Sequence, residues 1–277
     1  MKIGIDIGSA TIGLGLVENG IVKTKTSNPS FRKDVSPEDS IRYLENLIDI
    51  LMDDNVESIG IGVPSVAGPV KGGARGMAEV LSGANISLKD ELERHFRIPV
   101  SVNNRAGCFA LGAYEAGCRQ GCNKDEILVG ITLGAEPGVG IVCGGKLFNG
   151  RNAGAGEICF LPYRDSCLED YCGYRFFEKA GTTCKEAAVS AGAGHELSLE
   201  MFEDFGRHLG HLVTVVLYAY DPDRIVIGGV IANFHPFFME SMKEYIDGKF
   251  RYKASLDSLA IDIQTDENTP IIGAANL

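Results

Sequence analysis

The chain has 277 residues, 45% apolar and 23% charged, with a formal net charge of −11. That length accommodates two lobes with separate cores, no run reaches the ~20 apolar residues of a membrane span, and the acidic balance sets it against phosphate backbones and anionic lipid, so neither nucleic acid nor membrane is expected as a partner. Met1 leads into a strand-like run with no basic or apolar targeting segment, and the eight cysteines read as reduced thiols, so a cytoplasmic location is expected.

Strands are expected over Lys2–Ile7, Thr11–Val17 and Ile21–Thr24, the last two joined by an Asn19-Gly20 turn, which makes a β-meander. Ser36 as N-cap and Pro37 at the first helical position announce a helix with Ile41, Leu44, Leu47, Ile48 and Leu51 on one face. Val56–Val63 reads as a buried strand, closed by Pro64 and a glycine-rich turn through Gly68, Gly72, Gly73 and Gly76. A helix from Ser87 through Leu92, a strand over Ile98–Val102 and a small-residue helix from near Ala106 follow. A second meander then occupies Ile127–Thr132, Val139–Cys143 and Lys146–Phe148, so the order of elements begins again, as an architectural repeat. Ala153–Tyr174 is irregular and rich in Gly, Cys and acidic residues. Ser198–Tyr220 is a long helix with Phe202, Phe205, Leu209, Leu212, Val213 and Val216 at helical spacing, stopped by Asp221-Pro222. Arg224–Ile227 is a strand closed by Gly228-Gly229, a helix runs near Pro236–Tyr245, and Pro270–Asn276 is a last short helix.

Five segments form an ordered pattern along nearly the whole chain: Gly4-Ile5-Asp6-Ile7-Gly8, Gly62-Val63-Pro64, Val100-Ser101-Val102-Asn103-Asn104, the stretch from Thr132-Leu133-Gly134 to Ala155-Gly156-Glu157, and Pro222-Asp223-Arg224-Ile225-Val226-Ile227-Gly228-Gly229. Together they resemble the ROK family of repressors, open reading frames and sugar kinases. The resemblance implies an α/β chain with a two-lobed actin-like ATPase, ribonuclease H-like fold, each lobe a mixed sheet flanked by helices. The N-terminal lobe is expected over residues 1–106, with helix 268–277 packing back on it, and the C-terminal lobe over 107–267. The resemblance also implies ATP with Mg2+ against the C-terminal lobe and a hexose near the hinge. It further implies a homodimer, which the long helix from Ser198 would suit. Moving a γ-phosphoryl group to a sugar hydroxyl requires bare backbone N–H groups around the phosphates, a carboxylate for Mg2+ and a base for the hydroxyl.

On this resemblance Asp6 faces Mg2+, while Gly8, Gly134, Gly138, Gly140, Gly228 and Gly229 line the nucleotide. Asn104, Glu157 and more loosely Glu178 meet sugar hydroxyls, which suit amide and carboxylate groups. The first loop, however, reads Ser9-Ala10-Thr11 where the kinases have Gly-Thr-Lys or similar, and Asp6 can equally tie off a β-turn. The second loop carries Glu136, a negative charge beside phosphates, and Pro137, which lacks an N–H; an ordinary hairpin is its plain alternative. Arg105 stands where the family places its catalytic aspartate. A guanidinium cannot accept a proton, and loss of a base costs ~10²–10⁴-fold in rate. Arg105 forms either a structural ion pair, for which Glu157 is one partner, or part of the sugar site, where it favours a ligand carrying phosphate or carboxylate.

Many members of the family bind zinc through a histidine after Glu-x-Gly and three cysteines. Here Glu157 is followed by Ile158-Cys159-Phe160, so the histidine is missing. Cys159, Cys167, Cys172 and Cys184 make either a rearranged thiolate site or buried free thiols. His95, His195, His208, His211 and His235 form no ligand pattern; His208 and His211 can share a face of the long helix and are expected at its surface or at an interface. The expected function is a ROK homologue that binds a sugar or sugar derivative, with phosphoryl transfer weak or lost. The alternative is an active ATP-dependent hexose or amino-sugar kinase. A repressor requires a helix-turn-helix domain, for which no room is expected ahead of Lys2.

Overall fold

The computed structural model describes residues 1–31, 35–64, 87–121 and 123–277; the glycine-rich turn expected through Gly68, Gly72, Gly73 and Gly76 lies outside them. The chain divides into two units, one of Met1–Asp125, Gly140–Ala155 and Asp266–Leu277, the other of Glu126–Val139 and Gly156–Thr265. No helix of the described residues is long and apolar enough to cross a membrane.

The first unit opens with β1 (Lys2–Ile7), β2 (Thr11–Glu18), β3 (Ile21–Pro29), α1 (Pro37–Asp49), β4 (Ser58–Val63), α2 (Leu88–Phe96), β5 (Val100–Asn104) and α3 (Arg105–Arg119). Its sheet has the order β3-β2-β1-β4-β5. β1, β2 and β3 form the antiparallel meander, and β4 and β5 run parallel to β1. Alternation along β1 decides which face is which. Ile3, Ile5 and Ile7 point one way, into a core with Ile41, Leu44 and Ile48 of α1 and Leu88 and Leu92 of α2.

The remaining elements are β6 (Ile127–Thr132), β7 (Gly138–Cys143), β8 (Lys146–Leu147), a 3-10 turn at Glu157–Phe160, β9 (Pro162–Tyr163), β10 (Ser166–Cys167), α4 (Glu169–Cys172), α5 (Tyr174–Lys179), α6 (Cys184–Gly192), α7 (Glu196–Tyr220), β11 (Arg224–Gly228), a 3-10 run at Val230–Phe237, α8 (Met239–Lys249), α9 (Lys253–Ser258), β12 (Ala260–Gln264) and α10 (Thr269–Ala275). The second sheet has the order β12-β11-β6-β7-β8, with β11 parallel to both β6 and β12 and β7 antiparallel to β8. Read from β8, this is the strand order of the first sheet, so the architectural repeat is present. The apolar face of α7, expected to suit a dimer, is spent inside its own unit: Phe202, Phe205, Leu209, Leu212, Val213 and Val216 are fully buried. The helix expected from Pro236 starts at Met239, because Pro236 lies in the 3-10 run, where Phe234 departs from helical angles.

The other face of the first sheet is nearly bare, and α10 packs directly on β1, β4 and α3. A Cβ at Gly4 would lie 2.0 Å from the Ile271 carbonyl oxygen, and one at Gly60 would lie 1.7 Å from that of Ala274. α3 and α10 interlock in the same way, since a Cβ at Gly112 would meet the Thr269 oxygen at 1.9 Å and one at Gly273 the Cys108 oxygen at 1.7 Å. The division expected between Ala106 and Gly107 therefore falls inside α3, a helix held by the first unit, to which Gly140–Ala155 also belong.

Candidate functional site

Asp6 is the penultimate residue of β1, on the face of Gly4 that α10 covers. In register it lies beside Gly62 of β4, which lies beside Asn103 of β5. Two inter-strand steps of about 4.8 Å separate Asp6 from β5, a gap that the long side chain of Arg105 bridges. Its Nε donates to Asp6 Oδ1 at 2.7 Å and its Nη2 to Oδ2 at 2.8 Å, a bidentate ion pair. The Asp6 side chain is 16% exposed and that of Arg105 40%. Gly62 keeps the path open, since a Cβ there would come within 3.1 Å of Cys108 Sγ and 3.6 Å of Arg105 Cα. Arg105 is the first residue of α3, capped by Asn104, whose Oδ1 accepts from the Ala106 N–H at 2.6 Å. A cation at a helix N-terminus opposes the helix dipole; Asp6 offsets it. Burial and then the Asp6 carboxylate push the Cys108 thiol upward, while Arg105 pulls it down, which places all three groups in one electrostatic neighbourhood.

A magnesium ion requires carboxylate oxygens at about 2.0–2.1 Å, and both oxygens of Asp6 already accept guanidinium N–H groups. While the pair is closed, the arrangement does not fit the ion. The loop beside it is likewise committed: the Gly8 N–H donates to the Thr11 carbonyl at 2.8 Å, and the Gly8 carbonyl accepts from Ser30 Oγ at 2.6 Å. Gly140 is bare for a packing reason, because a Cβ there would stand 2.2 Å from the Ala106 oxygen.

In the second unit, Gly134 and Pro137 meet the junction of α4 and α5. The Tyr174 N–H donates to the Gly134 carbonyl at 2.9 Å, and a Cβ at Gly173 would lie 2.9 Å from both that oxygen and Pro137 Cδ. Burial lifts the Glu169 carboxyl above its usual value; Arg175 opposes this and Glu136 adds to it. Glu136 and Glu169 thus bring two carboxylates to the loop where a triphosphate is expected. The Gly138 carbonyl accepts from Thr132 Oγ1 at 3.4 Å, and the Gly228 carbonyl from the Leu133 N–H at 2.8 Å. Gly229 adopts φ 88°, and a Cβ there would lie 2.3 Å from the Leu133 oxygen. Glu157 opens the 3-10 turn after Gly156 and is half-buried, whereas Glu178 is exposed on α5.

Cys159 lies within electrostatic reach of Cys167 and Cys172, without forming a ligand set. Among the described residues no group of three His, Cys, Asp or Glu side chains is placed to hold a metal. Cys159, Cys172 and Cys184 are buried free thiols, and Cys167 is partly exposed. Burial, with Glu169 and Glu157 nearby, pushes the Cys159 thiol up to about 12. The segment does not fit the zinc that the resemblance implies.

Sequence reasoning had not named Asp6 as the partner of Arg105, nor an open cavity of mixed lining in the first unit. The cavity, of about 490 Å³, is lined in part by Lys89, Ser101, Asn103, Lys146, Asn149 and Asn276. Alternation along β5, which puts Ser101 and Asn103 on one side, is the only sequence signal for it.

Two mixed sheets of one repeated strand order define an actin-like ATPase fold. A ROK family glucokinase from Streptomyces griseus, solved with glucose and AMPPNP, shares it with a TM-score of 0.77 at 20% identity over 99% of this chain and 98% of that one. A ROK family transcriptional regulator, homologous to the Escherichia coli MLC protein, shares it with a TM-score of 0.82 at 20% identity, over 99% of this chain and 76% of the regulator. The ROK family model matches residues 2–277, and the chain belongs to the ROK family. It is 30% identical to a glucokinase of Thermotoga maritima over 99% of this chain and 96% of that protein. It is 26% identical to the Escherichia coli DNA-binding transcriptional dual regulator NagC over 69% of this chain, and the match spans about half, 52%, of the regulator.

Proposed function

We propose that this ROK protein binds a sugar or sugar derivative and that its phosphoryl transfer is weak or lost. The observation that carries the second half is the Asp6–Arg105 pair, in which a cation built into the chain takes both oxygens of the expected metal carboxylate. Glu136 and Glu169 add an unfavourable field for a triphosphate on the second unit. Sugar binding is supported by the glucokinase relative and by the carry-over of Asn104 and Glu157 to hydroxyl-binding positions. An anionic sugar is the preferred class, since Lys89 and Lys146 line a cavity that also takes in Asn103 and Asn149. A homodimer belongs to this reading on the family resemblance alone, with sedimentation velocity as its check. The net charge of −11 argues against a nucleic-acid partner, and a gel-shift assay at physiological salt tests that point.

The second reading, an active hexose or amino-sugar kinase, is favoured by the 30% identity to a glucokinase across 99% of the chain. A thermal-shift screen of neutral sugars, acidic sugars and sugar phosphates, followed by ATP turnover on the hits beside Arg105→Asp, separates the two. The proposal expects a ligand-dependent rise in melting temperature that Asn104→Ala and Glu157→Gln reduce, and turnover at background in the wild type. Clear wild-type turnover establishes the kinase instead, and a screen without hits removes the sugar.

A further inference from the structure

The segment Glu157–Lys179 lacks a metal-holding set yet is firmly attached to α7 by another route. The Tyr163 hydroxyl and His208 Nδ1 share a hydrogen bond of 3.1 Å, and the Tyr163 ring stacks on His211 with centroids 4.5 Å apart and planes 28° from parallel. Tyr171 of α4 packs on His208 at 4.8 Å and edge-on to Tyr163 at 5.2 Å. Phe176 of α5 closes a further side of His208 at 5.5 Å. His211 Nδ1 in turn meets the Tyr245 hydroxyl of α8 at 3.0 Å. The hairpin, both short helices and α8 thus converge on two imidazoles one turn apart on α7. His208, expected at the helix surface or at an interface, is only 4% exposed.

Charged groups close the outer side. The Arg164 guanidinium lies over Tyr163 at 5.7 Å and over Tyr171 at 5.6 Å, and the Lys179 ammonium over Tyr171 at 5.0 Å. The Tyr171 hydroxyl donates to Asp165. Asp170 accepts from Ser166 at 2.7 Å, Arg175 at 2.8 Å and Lys179 at 3.2 Å.

We propose that this aromatic–imidazole cluster takes the place of a structural metal, fastening Glu157–Lys179 to α7 and so positioning Glu157 for the ligand. The work of a four-ligand ion, joining short irregular pieces that bury too little surface to order themselves, is here divided among stacked rings and two hydroxyl–imidazole bonds. The fastening stands apart from the proposed function; the positioning of Glu157 rests on it.

The test is hydrogen exchange by mass spectrometry on the whole protein, with metal analysis, for the wild type, Tyr163→Phe and His208→Gln. The expected wild type carries no stoichiometric zinc, and a chelator leaves exchange over residues 157–179 unchanged. In Tyr163→Phe that segment exchanges about tenfold faster, the effect of losing one hydrogen bond of ordinary worth, while β1 and β4 keep their protection and sugar affinity falls. Should His208→Gln fail to fold, Tyr163→Phe, which removes a single hydroxyl, still decides. One zinc per chain whose removal loosens the segment overturns the proposal, as does unchanged exchange in the folded variants. Faster exchange in a protein that binds no sugar upholds the fastening and counts against the proposed function.

Discussion

At the scale of single residues, Arg105 couples the site to the stability of the first unit. Arg105→Ala leaves the Asp6 carboxylate, 16% exposed, without its bidentate donor, and the expected cost is about 1–3 kcal/mol. The same variant frees two oxygens at the end of β1. Millimolar Mg2+ should therefore raise its melting temperature while leaving that of the wild type unchanged; equal responses would refute the idea that the guanidinium keeps the metal out. The misfit of Arg105 was legible at its own position, because no guanidinium serves as a base. Its partner was not, since Asp6 lies 99 residues away and only the β1-β4-β5 register brings the two together. The bare Gly62 between them is intelligible only once that register is known.

Among the elements, α7 shows what periodicity conveys and what it omits. Its apolar stripe was readable because long helices repeat the signal several times, whereas β9 and β10 are two residues each and repeat nothing. The role of His208 was hidden for the same reason, its contacts coming from that unperiodic segment. Burial first, then the positive charge of Arg164, pushes His208 down from 6.5 to about 4; Asp204 opposes this, and His211 and Arg207 reinforce it. The unfolded chain takes its proton near 6.5, the folded one near 4. This contribution to stability is therefore complete above the higher value and lost as pH falls through the interval. Melting temperatures measured across that range should fall in the wild type more steeply than in His208→Gln. On the first sheet, Gly60→Ala places a methyl group against the Ala274 carbonyl. Such overpacking costs typically about 1–3 kcal/mol, a loss that urea unfolding would register and that Gly134→Ala, with open space around it, should not match.

For the molecule as a whole, two units with separate cores carry thiols that report on each. Cys143 is exposed, while Cys108 in the first unit and Cys172 in the second are buried. A thiol reagent should modify Cys143 at once and the buried pair only through opening of the structure. Arg105→Ala should accelerate modification of Cys108 relative to Cys172, and parallel acceleration of both would show that the loss is not confined to the first unit. The repeated strand order was visible in the sequence because two meanders, each followed by a helical crossover, announce themselves by turns and strand runs. The resemblance led to the expectation that helix 268–277 packs on the first lobe, but not to the inclusion of α3 and Gly140–Ala155 in the first unit, because the glycine contacts between α3 and α10 are encoded in no local pattern. Those contacts also impose a schedule on biosynthesis. Lys2 Nζ reaches Asn276 Oδ1 at 3.5 Å across 274 positions of sequence, so β1 must wait for α10, which is made much later. At ordinary translation rates the wait is on the order of tens of seconds, during which Gly4 and Gly60 line an uncovered sheet face. Nascent chains halted before Thr269 should remain protease-sensitive over β1 to β5, and release of α10 should close the unit in a single step.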